Sequence, residues 1–192
     1  MASRLLGDPV ICHDPRMKPR LTDTLCTQCG LCCDGTLFAD VELANSAEAA
    51  GLEAMGLDIE EDDNGDGLLV QPCVALQGRR CGIYAQRPEC CRTFECRLLR
   101  NVRRGAVSLP RAREIVAETQ TKIGRLRQLA AELGQADGRL TFRESCVEAM
   151  ELGDETRSSP DVERKRAELE SGMSAVEDLI QKQFLSGSTS RS

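Results

Sequence analysis

The sequence predicts a mainly α protein that contains a small, irregular α+β cysteine-rich domain and a C-terminal helical hairpin. Nine of the 11 cysteines fall between Cys26 and Cys96, a density that the packing of small apolar side chains does not explain. Apolar residues in the C-terminal half recur at spacings of three and four, the period of one helix face. Aromatic residues make up only 3% of the chain, which has no Trp, so a large aromatic core is excluded.

These patterns divide the 192 residues into four segments. Residues 1–21 are Pro-rich and lack periodicity, which is typical of an extended arm. We expect the cysteine-rich domain over 22–108 and a helical region over 109–185. The Ser-rich end, 186–192, is predicted to be a disordered tail.

Short elements are expected at the start of the cysteine-rich domain. Residues 21–36 carry four cysteines and two glycines and are predicted to form a loop. Residues 40–56 predict a helix with Asp40 as its N-cap, because small and apolar residues share one face.

The rest of this domain is expected to alternate between strand and helix. The acidic stretch 60–67 predicts a turn that leads into a short strand at 68–70. Residues 88–104 predict a helix with Pro88 at its first position, where the missing N–H of proline costs nothing.

Two amphipathic helices are predicted in the C-terminal half, with a short helix near 142–151 between them. Their apolar positions over 110–133 and 161–184 are Ile115, Thr119, Ile123, Leu126, Leu129, Leu133, Val162, Leu169, Met173, Val176, Ile180 and Phe184. We expect a helical hairpin that packs on the cysteine-rich domain or on itself, with dimerisation as the alternative.

The run CTQCGLCC indicates a metal ligand set. Two residues between successive cysteines, as in Cys26, Cys29 and Cys32, let a tight loop turn several sulfurs toward one metal. Gly30 after Cys29 and Gly82 after Cys81 would let the backbone curl round a metal, with N–H groups pointing at sulfur.

Adjacent Cys32 and Cys33 indicate that the two thiols have different roles in metal binding. Because neighbouring side chains diverge, the two thiols serve two metals, or one binds metal while the other supports it. The partners come from a second set of cysteines downstream: Cys73, Cys81, Cys90, Cys91 and Cys96.

Charge is distributed unevenly along the chain, whose net charge is −6. Residues 21–78 hold 12 acidic and no basic residues, whereas 79–113 hold ten arginines and two glutamates. This Arg-rich segment is a candidate surface for a protein partner, as are the C-terminal helices. Aromatic residues do not interleave with the arginines, so binding of nucleic acid is not favoured.

A cytoplasmic location is expected. The N-terminus lacks the apolar stretch of a secretory signal, and no segment approaches the ~20 apolar residues of a membrane span. In the cytosol a cysteine array serves metal binding or catalysis more often than disulfide formation, and the odd number of 11 cysteines argues against complete pairing.

The order CxxCxxCC, then PC, then CxIYxxRPxxCRxFxC resembles the CxxCxxCC family of zinc- or iron-chelating cysteine-cluster proteins, also called YkgJ-like. The resemblance covers residues 22–98. Its matching positions are Cys26, Cys29, Cys32, Cys33, Cys73, Cys81, Ile83, Tyr84, Arg87, Pro88, Cys91, Arg92, Phe94 and Cys96.

The resemblance implies eight thiolate ligands and a set of supporting residues. The implied ligands are Cys26, Cys29, Cys32, Cys33, Cys73, Cys81, Cys91 and Cys96. Tyr84, Arg87 and Arg92 would support them, together with Gly30 and Gly82; Arg92 and Arg97 would offset thiolate charge. Cys12 beside His13, Cys90 and Cys146 lie outside the pattern.

Three interpretations of the ligand set stay open. Eight thiolates could hold two Zn²⁺ ions with four ligands each, or C-x2-C-x2-C and one distant cysteine could hold a [4Fe–4S] cluster. Soft thiolates select both metals. A thiol redox array without a stable metal is the third.

Metal chelation through the eight thiolates is the predicted function. We identify no catalytic residues, because no Gly-rich phosphate loop, nucleophile elbow or HExxH motif is present. The question of enzymatic activity stays open, because the same motif occurs in flagellin lysine N-methylase, a protein-modifying enzyme. A redox sensor that uses Cys32–Cys33 or Cys90–Cys91 is a further alternative.

Overall fold

A computed structural model describes residues 21–152 and 159–185. The predicted arm, apart from its last residue, and the predicted tail lie outside the described residues. The helices are α1 (Leu21–Cys29), α2 (Ser46–Ala54), α3 (Glu89–Thr93), α4 (Arg97–Arg103), α5 (Leu109–Glu132), α6 (Phe142–Leu152) and α7 (Pro160–Ile180). The strands are β1 (Asp40–Glu42), β2 (Ile59–Glu61), β3 (Gly67–Val70), β4 (Leu76–Gln77) and β5 (Arg80–Cys81). The predicted fold class, mainly α with a small β part, is confirmed.

The C-terminal half is a helical body made of α5, α6 and α7. Ser108 begins α5 by accepting a hydrogen bond from the Arg111 N–H at 3.3 Å, and Ser159 begins α7 through the Val162 N–H at 3.4 Å; such N-caps satisfy backbone donors that the helix leaves open. The predicted long helices pack against each other and against α6. A π-helical turn, Gln181–Leu185, follows α7.

Buried apolar side chains form two separate cores. The main core unites the helical body with α1, the turn after it and α4, and includes Leu25, Leu31, Leu98 and Leu99. The small core lies under the three-stranded sheet and consists of Leu43, Leu52, Leu57, Leu69 and Cys73.

The sheet is antiparallel in the order β1-β3-β2, with Val41 opposite Leu69 and Glu61 opposite Gly67. The predicted turn at 60–67 is the hairpin between β2 and β3, in which Asp62 Oδ1 accepts hydrogen bonds from the N–H groups of Asn64 (2.8 Å) and Asp66 (2.9 Å). The predicted strand at 68–70 is confirmed, because these residues belong to β3.

The predicted helix over 40–56 is too long. Its first three residues are strand β1, because they pair with β3. α2 begins at Ser46, and its N-cap is Asn45 instead of Asp40, since the Asn45 side chain accepts the Glu48 N–H at 2.9 Å.

The prediction of one continuous helix over 88–104 is wrong, because this range forms two helices, α3 and α4. Phe94 and Cys96, between α3 and α4, have extended backbones with ψ of 130° and 160°. Cys96 then acts as the N-cap of α4, its Sγ accepting the Leu99 N–H at 3.4 Å. Pro88 is the residue before α3 and not its first residue.

The predicted loop over 21–36 contains a helix. α1 carries Cys26 and Cys29, and it forms because Leu25 is buried in the main core at 3% exposure. The helix ends where Gly30 adopts a φ of +75°, which other residues rarely do.

The turn after α1 is attached to the start of α6. Gly35 has a φ of +74°, and its carbonyl accepts the Phe142 N–H at 3.2 Å. A Cβ on Gly35 would lie 2.9 Å from Thr141 Cα, so only glycine lets the two backbones come this close.

None of the described helices combines the length and apolar character needed to cross a membrane.

The Gly35 contact predicts a difference between two glycines of nearly equal φ. Gly35→Ala should lower the free energy of unfolding by about 2–4 kcal/mol, because backbone strain adds to a clash with Thr141. Gly105, with a φ of +76° and no atom within 4 Å of where a Cβ would lie, is the matched control. Gly105→Ala should cost only about 1–2 kcal/mol. Urea denaturation measures both, and equal losses would contradict the importance of the contact.

Candidate metal centre

The eight predicted ligands lie on three segments of the chain. α1 and its turn supply Cys26, Cys29, Cys32 and Cys33; the β4–β5 region supplies Cys73 and Cys81; and the α3–α4 region supplies Cys91 and Cys96. α1 packs against α4, α5 and β5, which brings these segments together.

Four of these cysteines border the main core. Cys26, Cys29, Cys32 and Cys96 are half-buried and pack against its apolar side chains. The pKa of Cys29 is raised to about 12, chiefly by burial, with contributions from the neighbouring thiols of Cys96 and Cys26. The pKa of Cys32 is also raised, first by burial and then by Cys29, Cys33, Cys96 and Cys26. These four thiols therefore lie within reach of each other's charge.

Three others border the small core. Cys73 is buried in it, and Cys33 and Cys91 pack against it. The Cys73 N–H donates to the Cys33 carbonyl at 2.8 Å, and Cys81 stands on β5 opposite Leu76. Burial raises the pKa of Cys33 to about 12, with Cys73 and Cys81 as the next largest causes.

Cys90 and Cys91 are adjacent cysteines whose thiols affect each other's pKa. The Cys90 thiol raises the pKa of Cys91, as do burial and the charges of Cys33 and Cys73, and Cys91 in turn lowers the pKa of Cys90. Cys90 thus lies beside the cysteines that border the small core, but it is not one of the eight predicted ligands.

The two supporting glycines allow close approaches of the backbone. A Cβ on Gly30 would lie 3.3 Å from Arg79 Cα, and one on Gly82 would lie 3.0 Å from the Ala75 carbonyl oxygen. The Gly82 N–H donates to Ala75 O at 2.7 Å. That N–H is therefore hydrogen-bonded to the backbone next to β4, whereas the sequence predicted that it would point at a cysteine sulfur.

The supporting arginines differ in what they contact. The Arg87 guanidinium lies 3.7 Å above the centre of the Tyr84 ring, its Nε donates to Tyr84 O at 3.2 Å, and its charge lowers the pKa of Cys33 against the larger effect of burial. Arg92 is exposed in the last turn of α3, and its supporting role stays a prediction, as does that of Arg97.

Three residues that sequence reasoning missed contact the cysteine segments. Gln120 Nε2 donates to the Cys29 carbonyl at 2.6 Å, and Arg127 donates to Asp34 O at 2.8 Å. Arg100 donates to Glu95 O at 2.7 Å, and its charge partly offsets the burial that raises the pKa of Cys96. The contacts of Gln120 and Arg127 span more than 90 residues of sequence, so no local pattern could have indicated them.

Cysteines outside the predicted set have separate environments. Cys146 has no exposed surface and is part of the main core, where it packs as a small apolar residue. Cys12 and His13 lie outside the described residues.

The donor set fits a soft metal, since eight thiols with no histidine suit Zn²⁺ or an iron–sulfur cluster. Within 21–152 and 159–185, no three His, Cys, Asp or Glu side chains are already arranged to hold a metal ion. The thiols are therefore neighbours that would have to move closer to share a metal, as in sites where binding and folding are coupled.

The comparison with protein families identifies the same region. Residues 25–121, 97 of the 192, match the CxxCxxCC family, described as a "putative zinc- or iron-chelating domain". The chain belongs to the CxxCxxCC family. The match extends past Cys96 into the first half of α5 and includes Gln120. No curated protein and no solved structure matches this chain.

The raised pKa values predict how the stability of the metal-free protein depends on pH. Cys29 and Cys33 have a pKa of about 12 when folded, against an ordinary value of 9.0. Their stabilising effect is complete below the unfolded pKa and is lost as the pH rises toward the folded one. We expect the free energy of unfolding to fall by about 1.4 kcal/mol per thiol and pH unit above roughly pH 9.

Urea unfolding between pH 7 and 10.5 in the presence of a chelator measures this slope. Cys29→Ser is the control and should give a shallower slope, since one titrating thiol is removed. A stability that is constant over the alkaline range would contradict the burial of these thiols.

Proposed function

We propose that the protein chelates zinc or an iron–sulfur cluster through Cys26, Cys29, Cys32, Cys33, Cys73, Cys81, Cys91 and Cys96. The observation that carries the proposal is the packing of α1, which carries Cys26 and Cys29, against both α4 and β5, because it brings three cysteine segments distant in sequence together. Membership of a family described as zinc- or iron-chelating supports it.

Burial of the thiols couples metal binding to proton release. In the metal-free protein the buried thiols hold their protons at neutral pH, because burial disfavours thiolate. A bound metal supplies the positive charge that stabilises thiolates, and each ligand loses its proton as it binds. Arg87 and Arg100 act in the same direction, since their charges lower the pKa of Cys33 and Cys96.

Purification without oxygen, followed by analysis of zinc, iron and sulfide, tests the proposal. A colourless protein with about two zinc ions would establish zinc chelation. A brown protein with matched iron and sulfide would establish an iron–sulfur cluster. A protein with neither metal, also after reconstitution, would contradict the proposal.

A thiol redox role for the adjacent cysteines Cys90 and Cys91 is a second candidate, favoured by the effect of Cys91, which lowers the pKa of Cys90. Hydrogen peroxide would oxidise the two thiols to a disulfide and yield two molecules of water. Mass spectrometry after mild peroxide treatment tests this role, and finding both thiols unchanged would exclude it.

No observation favours the protein-modifying enzyme. Two surface cavities, of about 300 and 220 Å³, are lined by residues of α5, α6 and the segment between them, without any of the eight cysteines. Binding of a substrate at the cysteines therefore has no support from these cavities.

The proposed setting is a reducing compartment such as the cytoplasm. The ten described cysteines form no disulfides, which is typical of such compartments. Arg79, Arg80 and Arg92 are exposed, and we propose this face, or the C-terminal helices, as the contact for a protein partner.

Substitution of one ligand should release metal and destabilise the protein. We expect Cys29→Ser or Cys91→Ser to lose at least about one metal ion per chain and to lower the melting temperature by more than about 10 °C, because metal-binding energy is largely folding energy. Metal analysis and thermal denaturation measure both effects.

Cys146→Ala provides the matched control. It removes a buried thiol outside the ligand set and should keep the metal content of the unmodified protein. Full metal content in Cys29→Ser would show that Cys29 is not a ligand.

A further inference from the structure

We propose that the eight cysteines form two separate four-cysteine metal sites, and that the boundary between them passes between Cys32 and Cys33. The first site consists of Cys26, Cys29, Cys32 and Cys96. The second consists of Cys33, Cys73, Cys81 and Cys91. This inference rests on the proposed function and adds which thiols share a metal.

The two sets border different cores. All four cysteines of the first site pack against the main core, between α1, α4 and the helical body. In the second site, Cys73 belongs to the small core, and Cys33 and Cys91 pack against it. Adjacent residues Cys32 and Cys33 therefore lie against different cores, as expected of neighbouring side chains that diverge.

Several backbone contacts join cysteines of the same set, although α1 also packs against β5, which carries Cys81. α1, which carries Cys26 and Cys29, packs against α4, whose N-cap is Cys96. Cys33 is instead joined to Cys73 by a backbone hydrogen bond of 2.8 Å. Cys73 is in turn joined to the β4–β5 hairpin that carries Cys81, because its carbonyl accepts the Leu76 N–H at 2.9 Å.

α3 is held on the side of the second site by Glu48 of α2. The Glu48 carboxylate accepts the Glu89 N–H at 2.8 Å and the Ala44 N–H at 2.9 Å. Since Glu89 is the first residue of α3, this bond fixes the helix that carries Cys91 against the sheet side. The break between α3 and α4 then lets Cys91 and Cys96 belong to different sites.

The electrostatic neighbours of the thiols agree with this division. The cysteines that act most strongly on Cys29 are Cys96 and Cys26. Those that act most strongly on Cys33 are Cys73 and Cys81. Among the main influences on the thiols of Cys29, Cys32, Cys33, Cys73, Cys91 and Cys96, the one that joins the two sets is the influence of Cys33 on its sequence neighbour Cys32.

Four thiolates complete the coordination of a tetrahedral Zn²⁺ ion, and four also hold a [4Fe–4S] cluster. Each set is thus sufficient by itself for one metal centre. Cys90 also packs against the small core but is not one of the eight predicted ligands.

Zinc reconstitution of paired variants tests the division. The full-length protein should bind about two zinc ions, and Cys32→Ser and Cys33→Ser should each bind about one. The double variant Cys29→Ser/Cys32→Ser removes two thiols of one site and should still bind about one zinc ion. Cys29→Ser/Cys33→Ser removes one thiol from each site and should bind none.

Equal zinc content in the two double variants, measured by native mass spectrometry, would overturn the division while leaving chelation intact. An unsubstituted protein that binds no zinc and no iron would instead overturn the proposed function, and the division with it. The two failures are thus distinguishable.

The unsubstituted protein offers a test that does not depend on the folding of variants. Zinc is removed stepwise with a chelator, and the released thiols are labelled with N-ethylmaleimide in short pulses and mapped by mass spectrometry. Cys26, Cys29, Cys32 and Cys96 should become reactive together, and Cys33, Cys73, Cys81 and Cys91 should form a second group. Simultaneous labelling of Cys32 with Cys33 and all the other ligands would overturn the division.

Discussion

Packing of α1 and its turn against α5 is the contact on which the cysteine arrangement depends. Apolar burial of Leu25 and Leu31 supplies the attraction, and side chains of α5 fix the direction of the backbone. Gln120 and Arg127 donate to main-chain carbonyls at Cys29 and Asp34. Without α5, the apolar side chains of this short helix and turn would lose much of the surface that they pack against.

Burial and charge have opposite effects at the thiols. The apolar surroundings that hold the cysteines in place also disfavour their ionised form, so the metal-free protein contains neutral thiols at neutral pH. The protein can therefore bury a dense group of cysteines without burying a dense group of negative charges. The free-energy cost of deprotonating the thiols therefore arises only when a metal binds.

Local patterns in the sequence predicted the long helices and the turn at Asp62, because helix period and turn chemistry depend on nearby residues. They did not predict α1, whose helical structure depends on burial of Leu25 by distant helices. They also missed the break at Phe94–Cys96, where no Pro or Gly marks a boundary and a thiol acts as the cap. The eight predicted ligands were implied by the resemblance to the family pattern and stay a prediction, whereas the distribution of these cysteines between two cores required the fold.

The hydrogen bond from Arg127 to the Asp34 carbonyl joins residues 93 positions apart. During synthesis on the ribosome, Cys26 to Cys33 are therefore made well before the helix that fixes their backbone. At roughly 5–20 residues per second, the delay is about 5–20 s. In that interval the four thiols from Cys26 to Cys33 are open to solvent, to oxidants and to any metal donor, before the scaffold that buries them exists.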